Sequence, residues 1–142
     1  MKKLIALLAG LFSIGASASD YAIGQVWEYK TRESETGSHL YIVHIDDHEK
    51  IGKIYHIFVD GVAIKNPHIE GGVQDVLPHA PVDERTLELS LTKMVGTTKQ
   101  LPDISEGYSI WKQAFDSGEG GVFNISVSQI IEYIEQMVGQ NA

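Results

Sequence analysis

The chain predicts an α+β fold: an antiparallel sheet of about four to five strands with about three helices, mostly C-terminal, packed on one face. Two observations carry this. Between Gln25 and Lys65 the apolar residues recur with period two, and the runs are rich in Val, Ile and Tyr. Beyond Asp83 they recur at helical spacing. The strands come first as a meander, and most of the helices follow.

Residues 1–18 read as a cleaved signal peptide. Lys2 and Lys3 form a basic start, Leu4–Ile14 an apolar run, and Ala16-Ser17-Ala18 a small-residue cleavage motif. The run is short for a membrane span, which takes about 20 apolar residues. The expectation is export to the periplasm or the medium, a single mature domain over 19–142, and no stable membrane association once the signal is removed. That length can bury a core without staples. It has to do so, because the chain contains no cysteine. Cysteine nucleophiles and thiolate metal sites are excluded with it.

In the mature part, Gln25–Thr31 alternates and forms the first strand, with Trp27 and Tyr29 inward. Arg32–Ser38 is a turn. A hairpin follows, with His39–Ile45 and Lys53–Val59 as its strands and Asp46–Gly52 as its loop. Placing Tyr41, Val43 and Ile45 with Ile57 and Val59 on the core face puts His44 and His56 together on the other face. Asp60-Gly61 between apolar runs signals a two-residue turn into a fourth strand over Val62–Lys65.

Asn66–Pro81 has no period. It holds three of the four prolines and two histidines, and it is long for a connection, since loops beyond about 12–15 residues tend to be functional or disordered. Asp83 then caps a helix with Leu87, Leu91, Met94 and Val95 on one face. A second helix carries Tyr108, Trp111 and Phe115, an aromatic stripe of the kind that packs a core. Gly107 weakens its first turn by up to ~1 kcal/mol against Ala. Val122–Ile125 is a short strand. Ser126 and Gln129 make a capping box for a last helix, with Ile130, Ile131, Ile134, Met137 and Val138 buried.

Charge limits the partners. The precursor carries −8; loss of Lys2 and Lys3, with no acid lost, leaves −10. This argues against a nucleic-acid partner, since phosphate binding needs clustered cations, and permits a basic protein partner. The functional expectation is a small acidic exported binding protein working through a protein–protein surface, of inhibitor or immunity type.

The alternative is a metal-dependent or histidine-based hydrolytic enzyme. Imidazoles suit a divalent transition metal, and His44, His48 and His56 are the candidate ligands. His48-Glu49 has no second histidine four residues on, so it is not a metalloprotease helix motif. In the loop, His79 lies between Pro78 and Pro81 near several carboxylates, which makes it the candidate general base. No serine sits in a Gly-x-Ser-x-Gly elbow. Gly118–Gly121 fails the dinucleotide pattern at Phe123 and reads as a hinge.

Overall fold

The computed structural model describes residues 21–140, so the signal segment expected over 1–18 lies outside the described residues. Five strands, β1 (Gln25–Tyr29), β2 (Leu40–His48), β3 (Gly52–Lys65), β4 (Val73–Val82) and β5 (Leu91–Thr97), form one sheet in the order β4-β3-β2-β1-β5. Every neighbouring pair is antiparallel. The helices are α1 (Glu84–Ser90), α2 (Ser105–Asp116) and α3 (Val127–Gln140). The class is α+β, with the meander first and the helices mostly after it. No described helix is long and apolar enough to cross a membrane.

Four stretches differ from the sequence expectation. Asp60-Gly61 is not a turn, because β3 runs through it. Asp60 pairs with Val76 and Ile64 with Gln74, so β3 holds extra residues there. Gly61, at φ +62°, absorbs this bulge. It also lies where a Cβ would come within 3.0 Å of Ser38 Cα.

The second half of 66–81 is strand β4, not loop. Pro78 and Pro81 disguise it, since proline cannot donate to a ladder. Proline is tolerated here because β4 is an edge strand.

Asp83 caps α1 as expected, accepting from the Thr86 N–H at 3.2 Å. The helix nevertheless stops at Ser90. Leu91, Met94 and Val95, expected on its buried face, belong to β5. Thr92, Val95 and Thr97 are β-branched and suit extended backbone, and β1 offers its free side to pair with. The strand expected over 122–125 reduces to one parallel bridge, Val82 to Phe123. The α3 capping box forms, with Ser126 Oγ accepting from Gln129 N–H and Gln129 Oε1 from Ser126 N–H. Met137, expected to be buried, is 42 % exposed.

The sheet is covered on both faces. Tyr55 and His56 are neighbours on β3 and point opposite ways. Tyr55 joins the main core with Ile57, Val59, Leu87, Ile130 and Ile131, from β3, α1 and α3. His56 meets Tyr108 and Trp111 of α2 instead. The expectation of helices on one face thus covers α1 and α3, while α2 lies on the other. The chain passes between the faces at the β4 edge, where Phe123 bridges to Val82 and Gly121 O accepts from the Trp111 indole at 2.8 Å.

A β-bulge sets the phase of β2. Ile42 pairs with Ile57 and His44 with His56, which leaves Val43 as the extra residue. Leu40 and Ile42 therefore face the main core, whereas Tyr41 pairs its ring with Phe58 on the second face. Beyond the bulge the phase inverts, and Ile45 packs against the core.

A buried ion pair ties the turn after β1 to the last helix. Glu35, 2 % exposed, accepts from Arg32 Nε and Nη2 and from the Ala63 N–H. Arg32 Nη1 reaches Glu135 of α3 at 2.9 Å.

Candidate functional site

On the face beneath α2, three strands each contribute a histidine. His44 of β2 and His56 of β3 are direct cross-strand partners. His79 of β4 reaches that face because Leu77 and Ala80 both point to the core, so β4 carries one surplus residue between them. Asp46, two residues after His44, shares its face. Tyr108 comes down from α2.

Asp46 is the hub. Its Oδ1 lies 3.1 Å from His44 Nε2, and its Oδ2 lies 3.0 Å from His56 Nε2 and 2.9 Å from the Tyr108 hydroxyl. His56 Nδ1 lies 2.9 Å from His79 Nε2. An ionised carboxylate only accepts, so both Nε2 atoms bonded to it carry protons. Neutral His56 then offers Nδ1 as an acceptor, and His79 Nε2–H donates to it. The tautomers follow from the carboxylate outward and end on His79 with its Nδ1 unprotonated.

Electrostatics agree with that proton inventory. Burial works to raise the Asp46 carboxyl, but the hydrogen bonds from Tyr108, His44 and His56 outweigh it and leave it below the ordinary carboxylate value. Burial pushes His56 down to about 4 against the upward pull of Asp46. Burial, then repulsion from a charged His56, takes His79 to about 4. Burial and the neighbouring Asp46 raise the Tyr108 hydroxyl to about 12. At neutral pH the network is one carboxylate, neutral buried imidazoles and a neutral phenol.

The sequence-predicted residues separate into two groups. His44, His56 and His79 are brought together. His48 is not: its ring lies against Phe115, and its Nδ1 accepts from the Lys50 and Ile51 N–H groups at the hairpin turn. Among the described residues no group of three or more His, Asp or Glu converges on a point where a metal would sit. His68 bonds the Val138 carbonyl at the end of α3. His79, the candidate base, has the backbone of Gly107 closed over its ring, so that a Cβ there would lie 2.8 Å from His79 Cβ. Sequence reasoning missed Tyr108 as a member of the site. The available signal was a hydroxyl on an otherwise apolar aromatic stripe, which needs a partner when covered.

Two grooves flank the network. One, about 360 Å³, lies at the turn end of the β2–β3 hairpin and is lined by Asp46, Asp47, His48, Ile54, Trp111, Lys112, Phe115 and Asp116. The other, about 340 Å³, is lined by Val43, His44, Leu101, Pro102, Asp103, Ile104, Ser105 and Tyr108. Asp46 opens on the first and His44 on the second. No protein-family model, curated protein or solved structure matches this chain.

Proposed function

We propose that this chain is a small acidic exported binding protein that holds a basic protein partner, as an inhibitor or immunity-type neutraliser would. The observation that carries this is the groove at the hairpin end, where Asp46, Asp47 and Asp116 stand beside Trp111 and Phe115. Carboxylates and aromatic faces together suit a lysine or arginine side chain, through charge and through cation–π attraction. An ammonium already lies against one wall, since Lys112 Nζ is 2.8 Å from Asp116. The network beneath keeps Asp46 ionised, so the groove stays negative well below neutral pH. The net charge adds steering at long range.

The test begins with the exported protein, whose intact mass should place its first residue at or next to Ser19. A partner captured from the periplasm should be basic. Its association rate should fall as salt rises, because screening shortens the reach of charge to about 10 Å at 0.1 M. Asp47→Asn with Asp116→Asn should slow association further. A neutral or acidic partner whose rate ignores both salt and these substitutions would overturn the reading.

A further inference from the structure

We propose that His44 is the general base of a second site, one that hydrolyses small neutral esters with an apolar acyl group. This does not rest on partner binding, because it uses the other groove. His44 is held on two sides. Its Nε2–H donates to Asp46 at 3.1 Å, and its ring meets the Tyr108 ring edge-on at 5.2 Å. A carboxylate that fixes one imidazole nitrogen as the donor leaves the other as a base. The His44 side chain is 45 % exposed, so that base is open to water.

The groove beside it says what would fit. Val43, Leu101, Pro102 and Ile104 give it apolar walls. Asp103 at its rim, on a chain of net charge −8, repels anions. The groove ends at the start of α2. There Asp103 takes up the Ser105 N–H at 2.9 Å, and Tyr108 N–H is satisfied by Ile104 O.

The step is a base-assisted attack of water. His44 Nδ1 takes a proton from water as the water oxygen bonds to the ester carbonyl carbon. The tetrahedral adduct collapses, the bond from carbon to the alkoxy oxygen breaks, and that oxygen takes the proton back from His44. Ester and water become acid and alcohol, and the base is restored. A base without a covalent nucleophile suits a good leaving group, hence esters rather than amides.

The experiment uses 4-nitrophenyl acetate and butyrate with the purified full-length mature chain, against free imidazole at equal histidine concentration. The protein should exceed that background by about a hundredfold, the lower end of what a positioned base contributes. His44→Gln should return it to background, whereas His68→Ala should leave it unchanged. Leu101→Ser, at an exposed wall, should raise KM for butyrate more than for acetate and so tests the groove without disturbing the network. Rates equal to free imidazole, or a His44→Gln protein as active as the parent, would overturn the proposal. Partner association measured on the same His44→Gln protein separates the two readings, since it should be retained whether or not the esterase activity is found.

Discussion

His56 and His79 meet edge to edge: Nδ1 of one lies 2.9 Å from Nε2 of the other, and the ring planes are 11° apart. Near-coplanar imidazoles at this separation share a proton along the ring plane. Neither ring can take a further proton without placing a charge beneath α2.

Stability should therefore fall in mild acid. An ordinary histidine protonates near 6.5, but these two hold off until about 4. Between those values the unfolded chain binds more protons than the folded one. Stability is then full above about 6.5 and is lost as pH drops toward 4. The loss is at most on the order of 3 kcal/mol for His56, and less for His79, which solvent reaches more easily. The depressed Asp46 acts in the same direction, its share being lost as pH falls through its lowered value. Urea midpoints at pH 7.5 and 4.5 measure this, and equal midpoints would contradict the network. His79→Gln should flatten the slope.

Gly107→Ala should destabilise, although alanine favours a helix by up to ~1 kcal/mol. The new Cβ would meet His79 Cβ at 2.8 Å, which forces α2 off the sheet. Overpacking of this kind costs about 1–3 kcal/mol. Thermal unfolding of the variant is the check, and a raised melting temperature would show that α2 has room.

Trp111→Ala should cost roughly 3–5 kcal/mol, as for a buried aromatic. The residue is 9 % exposed and packs on both His56 and Phe115. Trp111→Phe keeps much of the packing and loses the bond to Gly121 O, so it should retain most of that stability. Chemical denaturation of both variants measures the difference. A loss under about 1 kcal/mol for the alanine variant would mean that α2 is held elsewhere.

Glu35→Ala should cost about 1–3 kcal/mol, chiefly by leaving the Ala63 N–H without its acceptor, because Arg32 keeps its pair with Glu135. Pairing it with Arg32→Ala should cost less than the two single losses added together. A double-mutant cycle reads that coupling, and additivity would mean the pair does not interact.

Much of this architecture is legible in sequence because α2 and α3 each follow one helical period, and β2 and β3 keep period two on either side of their bulges. That His44 and His56 share a face is legible too, but not their direct pairing, which depends on register, and the same period places Tyr41 and Val43 on the wrong face. A period-two reading assumes an unbroken strand, and the bulge at Val43 inverts the phase midway. Leu40 and Ile42 thus take the core positions expected for Tyr41 and Val43. The prolines hide β4, since edge position is a property of the sheet and not of the segment. Leu91, Met94 and Val95 satisfy helical spacing, but pairing with β1 decides their state. Gly107 reads as a weak point in a helix, and only its contact with His79 shows why a side chain is excluded there. Tyr108 reads as core because spacing describes where a ring lies, not what its hydroxyl reaches.

The two rims of the sheet end differently, and this bears on how the protein behaves when crowded. An open strand edge is a template on which other chains can grow into ribbons. On β4, Pro78 and Pro81 remove donors and Phe123 occupies part of the outer side. On β5, two register shifts against β1 break the regular spacing of its backbone groups, and Lys93 adds a charge. Neither rim offers an incoming strand a straight, complete ladder. Fibril growth by strand addition is disfavoured at both ends, in a chain that has no disulfide to hold its edges in place.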